Sequence, residues 1–126
     1  MSVAAIDVGL KRIGAAICQH MGVITPLDAV LRRNRNQAAQ DVDKLLNEYN
    51  IKTLVVGIPE NEETARRIKH FVSLLAFSGE VVFVDEDFSS YEAKERMRGT
   101  IKQKRDGRID SLAAMIILER YYRSTG

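Results

Sequence analysis

The stretch Val3-Ala-Ala-Ile-Asp-Val-Gly-Leu-Lys-Arg-Ile-Gly-Ala-Ala-Ile-Cys18 decides the fold. Val3 to Val8 joins small and β-branched residues and stops at Gly9. Ile13 to Cys18 repeats that composition after a short polar turn, so the two segments read as a β-hairpin. Asp7 stands out within it, because it shares a strand face with Val3 and Ala5. A carboxylate in an apolar strand carries a large desolvation cost unless it is hydrogen-bonded, paired or bound to a cation. Two readings of Asp7 stand at this point, a strand-end turn cap and a ligand for a cation.

Downstream, Gly22 to Val30 reads as a third strand, and Pro26 inside it implies a sheet edge or an irregularity. Ala38, Ala39, Val42, Leu45, Leu46 and Tyr49 recur at helical spacing, with Asn34 or Asn36 as the N-cap. Lys52 to Ile58 carries the continuous run Leu54-Val-Val56, the mark of a strand buried on both faces, and Pro59 closes it. Asn61 can cap a second helix, with Glu62 and Glu63 in its first turn and an apolar stripe of Ile68, Phe71, Val72 and Leu75. Val81 to Val84 reads as another buried strand. Ser89 and Glu92 have capping-box spacing for a short helix to Arg98. Thr100 to Gly107 reads as a polar, basic loop, and Ile109 to Tyr122 as a long apolar helix. A hairpin followed by strands alternating with helices predicts an α/β protein, a mixed sheet with helices on its faces.

The 126 residues suit one domain spanning 1–126, and 45% apolar with 29% charged residues is a globular balance. A net charge of +2, from 19 basic and 17 acidic residues, does not by itself announce a nucleic-acid binder. The charges are segregated, however. Arg32, Arg33 and Arg35 cluster in one segment, Arg98, Lys102, Lys104, Arg105 and Arg108 in another, and Asp85, Glu86 and Asp87 stand together. Cys18 is the single cysteine, which excludes an intrachain disulfide and a cysteine metal cage and fits a reducing compartment. The N-terminus resembles neither a secretory signal nor a membrane span, so a cytoplasmic protein is expected.

The acids are where chemistry can lie. Asp85, Glu86 and Asp87 follow a strand, at the kind of end where open α/β sheets place their sites; solvated acids or a helix cap are the plainer reading. Asp110 opens the last helix in line with Ala113, Ile117 and Tyr121, a stripe suited to face the sheet. Macrodipole compensation explains its place in the first turn but not its inward face. Asp7, Glu86 and Asp110 together can form an oxygen-only site for a hard cation, Mg2+ or Mn2+. Such ions serve phosphodiester hydrolysis without a covalent protein nucleophile, which suits a sequence whose His20 and His70 have no nucleophilic partner. Lys11 and Arg12 beside Asp7 can hold phosphate, and the loop from Lys102 to Arg108 can bring a nucleic-acid backbone to Asp110.

Four segments now resemble one family: Ala5-Ile-Asp-Val-Gly-Leu-Lys-Arg-Ile-Gly14, Val55-Val-Gly-Ile-Pro59, Val84-Asp-Glu-Asp-Phe-Ser-Ser-Tyr-Glu-Ala93 and Ile109-Asp-Ser-Leu-Ala-Ala-Met-Ile-Ile-Leu118. In order, and in spanning nearly the whole chain, they are similar to the YqgF family, described as Holliday junction resolvases and as pre-16S ribosomal RNA nucleases. The resemblance implies a ribonuclease H-like mixed five-stranded sheet flanked by helices. It also implies Asp7, Glu86 and Asp110 as catalytic and metal-binding acids. Lys11 and Arg12 match the family's basic turn, and Ser89 and Ser90 its small hydroxyl residues. Lys102, Lys104 and Arg105 join them as expected substrate contacts. The family usually has arginine where Asp87 stands, and a longer glycine-containing loop where Glu60-Asn-Glu-Glu63 runs almost directly into a helix.

The expected activity is cleavage of structured RNA, at the 5′ end of small-subunit ribosomal RNA, with ribosomal particles among the expected partners. A DNA-junction resolvase would use the same site, and its two symmetric cuts favour a homodimer over a monomer. A non-catalytic RNA- or ribosome-binding protein of the same fold is the third reading. An actin-like ATPase or sugar kinase needs two such domains, which this length does not supply.

Overall fold

The computed structural model describes residues 2–20, 23–85 and 108–125. Its strands are β1 (Val3–Val8), β2 (Arg12–His20), β3 (Val23–Leu31), β4 (Thr53–Ile58) and β5 (Glu80–Asp85). They form one sheet in the order β3-β2-β1-β4-β5. The β1–β2 and β2–β3 pairs are antiparallel, and β1–β4 and β4–β5 are parallel. This is the mixed five-stranded α/β sheet that the sequence predicts. The described helices are α1 (Arg35–Glu48), α2 (Glu62–Ser73) and α3 (Arg108–Thr125), and none is long and apolar enough to cross a membrane.

Period-two alternation sorts the sheet into two cores. Ala4, Ile6, Ile13, Ala15, Ile17, Leu54 and Val56 point toward α1 and α2, where Ala39, Val42, Leu46, Ile68 and Phe71 meet them. Val3, Ala5, Ala16, Cys18 and Val55 point the other way, onto Ala114, Ile117 and Leu118 of α3. Covered on both sides, β1 and β4 need no polar face, which is why their sequences run apolar without alternation. Cys18 packs as a small buried residue.

Local signals set the helix starts. The Asn34 side chain accepts from the Gln37 backbone N–H at 2.7 Å while Gln37 accepts from the Asn34 N–H at 3.3 Å, so Asn34 and not Asn36 caps α1. Asn61 caps α2 by accepting from the Thr64 N–H at 2.9 Å. That helix ends at Ser73, and Leu75 joins the core from just beyond it.

Both edge strands depart from full burial. Pro26 lies on β3, opposite Ala16, with no N–H to leave unsatisfied at the sheet's edge. At the other edge, β5 is not the doubly buried strand expected from Val81 to Val84. Its residues are half-buried or exposed, and Phe83 is 43% exposed. A short apolar run shows that a strand forms but not whether a neighbour covers it. Lys69 of α2 gives Phe83 partial cover, with its ammonium 5.8 Å from the ring centre. The short helix expected at Ser89 to Arg98 and the loop at Thr100 to Gly107 lie outside the described residues.

Phe71 is among the largest fully buried side chains and joins α2 to the sheet. Replacing it with alanine is expected to lower unfolding free energy by about 3–5 kcal/mol, the usual loss for a buried phenylalanine. Urea denaturation followed by circular dichroism measures it, and a loss below about 1 kcal/mol would contradict this packing.

Candidate functional site

Because β1, β4 and β5 are parallel, their C-terminal ends emerge at one edge of the sheet. Asp7 stands at that edge on β1, opposite Gly14 of β2, and Ile58 of β4 pairs with Asp85 at the end of β5. Alternation with Val3 and Ala5 puts Asp7 on the α3 side of the sheet. It is only partly buried, whereas Val3 to Ile6 are buried. The carboxylate thus appears where the strand leaves its apolar cover.

The head of α3 is tied to the same place by Ser111, which is 0% exposed. Its hydroxyl oxygen accepts from the Ala15 backbone N–H at 3.4 Å and donates to the Leu27 carbonyl oxygen. Ala15 and Leu27 are ladder partners beside the register shift between β2 and β3, so the hydroxyl bridges the two strands. Ala15 also follows Gly14, the partner of Asp7. The chain position just before Ser111, residue 110, is therefore held close in the fold to the β1–β2 pair that carries Asp7. At the opposite end of α3, Arg120 donates to the Asp85 carbonyl oxygen at 3.0 Å, joining the helix to the end of β5.

Among the expected site residues, Asp7, Lys11 and Arg12 are described. Glu86, Ser89, Ser90, Lys102, Lys104 and Arg105 lie outside the described residues, as does the side chain of Asp110. Glu86 follows directly on Asp85. Among the described residues no three histidine, cysteine or acidic side chains form a metal-sized cluster. The donor chemistry of the trio is nevertheless that of a hard-cation site: carboxylate oxygens only, from a strand end, a strand exit and a helix head.

Lys11 is exposed on the turn after β1 and Arg12 is exposed at the start of β2. The Gly9 N–H donates to the Arg12 carbonyl at 3.0 Å, and a Cβ on residue 9 would stand 2.5 Å from that carbonyl oxygen, so the turn requires glycine. Arg32 holds the turn from the other side. Its guanidinium donates to the Gly9 carbonyl at 2.9 Å and its backbone N–H to the Lys11 carbonyl at 2.9 Å, while the guanidinium lies 5.5 Å from the centre of the Phe71 ring. Burial, followed by the nearby charges of Arg35 and Arg67, holds the Arg32 pKa below the ordinary arginine value. His70 is exposed on α2.

Ser111 and Arg32 are the residues whose roles sequence reasoning missed. A serine beside a helix-head acid is a weak signal by itself. Its partners lie 96 and 84 positions away, beyond the reach of local pattern. Ser111→Ala takes the hydroxyl partner from the buried Ala15 N–H and the part-buried Leu27 carbonyl, so a stability loss of about 1–3 kcal/mol is expected. Equal urea midpoints for variant and wild type would rule out the bridge.

Comparison with known proteins agrees with this architecture. Residues 1–124 match the family model described as RuvX, Holliday junction resolvase. A relative from Sulfurovum sp. (strain NBC37-1) is 56% identical over 125 residues, covering 96% of this chain and 98% of its own. Another, from Sulfurimonas denitrificans, is 54% identical over 127 residues, covering 98% of each. Both bear the provisional name of pre-16S rRNA nuclease. Among solved structures, the fowlpox virus Holliday junction resolvase superposes with a TM-score of 0.62 at 13% identity over 100% of both chains. RuvC of T. thermophilus, in complex with a Holliday junction substrate, gives 0.62 at 16% identity over 99% of this chain and 96% of its own. At such identities the likeness is one of fold, the ribonuclease H-like fold that the sequence resemblance implied. With nearly the whole length matched by the family model and by relatives above half identity, the chain belongs to the RuvX family, the YqgF group to which its four motifs pointed.

Proposed function

We propose that this chain is a metal-dependent nuclease that matures the 5′ end of pre-16S ribosomal RNA, with Asp7, Glu86 and Asp110 as its catalytic, metal-holding acids. The observation that carries the reading is the position of Asp7 on the sheet edge where the parallel strands end. Asp7 lies at the end of β1, residue 86 follows the end of β5, and residue 110 precedes the Ser111 bridge. The names of the relatives support pre-16S rRNA as substrate, and membership of the RuvX family supports hydrolysis of nucleic-acid ester bonds.

The chain's own residues divide the work. Asp7, half sheltered at the strand end, offers a carboxylate that water screens only in part, which strengthens its hold on a cation. Lys11 and Arg12, exposed where β1 passes into β2, attract and orient the phosphodiester backbone. Ser89, Ser90, Lys102, Lys104 and Arg105 extend that contact. Asp7, Glu86 and Asp110 would hold magnesium or manganese, which when bound would supply charge neutralisation at the phosphate and activation of a water. His20 and His70 have no part in this chemistry.

A DNA-junction resolvase is the second reading, favoured by the family description and by the resolvase folds that superpose on this one. One assay separates the two, with wild type and Asp7→Asn offered a 5′-extended 16S precursor and a four-way DNA junction, with Mg2+ or Mn2+ and then with chelator. Precursor cutting is expected from wild type with metal alone. Asp7→Asn should cut at least about 100-fold more slowly, because even partners that only orient a metal ligand are worth 10–100-fold. Cutting that survives both the substitution and the chelator would defeat the metal-site reading, and cutting confined to the junction would select the resolvase.

A further inference from the structure

We propose that the arginine-lined cleft between the α1 entrance and α2 is a second nucleic-acid subsite, binding a backbone phosphate that flanks the one to be cut. The proposal rests on the nuclease reading above and names a surface which that reading does not use. The cleft, of about 580 Å³, is lined by Arg32, Arg35, Arg66, Arg67 and His70. Four permanent cations on one cavity wall repel one another. Glu62 and Glu63 lie one helical turn before Arg66 and Arg67, yet among the described residues no carboxylate pairs with Arg32, Arg35, Arg66 or Arg67.

Two further features point to an anion. Arg35 is the first residue of α1, whose first turn contains no acid, so a cation stands at the positive end of the helix dipole. That arrangement costs stability in the free protein and favours an anion bound beside the guanidinium. Arg32 is meanwhile fixed in place by the Gly9 carbonyl and the Phe71 ring, so part of the cleft is preorganised.

The cleft also leads toward the acids. Arg32 and Arg67 line a second cavity, of about 260 Å³, whose other walls include Val8, Gly9 and Leu10. Those residues follow Asp7 in sequence. The α1–α2 cleft and the Asp7 carboxylate belong to opposite faces of the sheet and meet at the turn over its edge. A nucleic-acid chain crossing that edge presents one phosphate to the acids and a neighbouring phosphate to the arginines. The recognised chemistry is the phosphodiester backbone, so the contact carries position and not base sequence.

The test measures binding apart from cutting. A fluorescent RNA duplex with a 5′ single-stranded extension is titrated in chelator with the full chain and with Arg35→Gln/Arg66→Gln/Arg67→Gln. Arg123→Gln is the control, since Arg123 is 76% exposed and sits 3.9 Å from Glu119, away from the cleft. The triple variant should bind at least about 10-fold more weakly, and its dependence of log affinity on log salt should fall by roughly 0.7–0.9, the contribution of the one phosphate that the subsite holds. A four-way DNA junction titrated alongside tells which nucleic acid gains more from the arginines. Independently of any variant, RNA should protect Arg66 and Arg67 of the unmodified chain from phenylglyoxal, read by mass spectrometry. An unchanged salt slope in the folded triple variant, an equal loss in Arg123→Gln, or absence of protection would overturn the subsite. Arginine-dependent binding by a chain that never cuts RNA or DNA would instead leave the subsite standing and remove the nuclease reading.

Discussion

A strand covered by helices on both faces cannot hold a charge in its middle, and the rest of this molecule is arranged around that constraint on β1. Val3, Ala4, Ala5 and Ile6 are at most 5% exposed, and the carboxylate comes only at Asp7, where the apolar cover gives out. The same constraint makes the neighbours of β1 what they are. β2 must turn back at Gly9 without a side chain in the way, β4 must be apolar on both faces, and α3 must meet the sheet with Ala114, Ile117 and Leu118. Charge is thereby driven to the edge where β1, β4 and β5 end, and a polar site there is the outcome of covering the sheet.

Much of this was legible in the chain itself. The β1 strand, the caps at Asn34 and Asn61, the edge position of Pro26 and the long final helix all rest on short-range chemistry that acts within a few residues. The structure fixes Asp7 at a strand end on the α3 side, as period two required. What the sequence could not convey was coverage and distant pairing. Val81 to Val84 looks as apolar as Leu54 to Val56, yet one strand is at an edge and the other is central. Ser111 looks like any small helical residue until its hydroxyl is seen between two strands. Arg32 belongs to a visible basic segment, but the joining of that segment to Arg66 and Arg67 depends on how α2 docks.

Side chains and main chain share the labour unevenly. Near the proposed site, Arg32 stands with one guanidinium against an aromatic ring of the core and a turn carbonyl, and Ser111 with one hydroxyl between two strands. A single atom group in each case joins elements far apart in sequence. Such joints set geometry tightly, since each donor or acceptor has a fixed partner and little room to slide. The arrangement places rigidity beside Asp7, at the edge where the parallel strands end.

The opposite end of the sheet is built differently. There the Lys52 and Thr53 N–H groups both donate to the Ser2 carbonyl, at 3.0 and 3.4 Å, and the Glu80 N–H donates to the Lys52 carbonyl at 3.0 Å. These bonds belong to the backbone and survive any side chain that tolerates the local conformation. The two ends of the sheet therefore answer differently to substitution. A changed side chain at position 52 or 80 leaves these backbone bonds in place, while a changed side chain at Arg32 or Ser111 removes a bond that holds the other end.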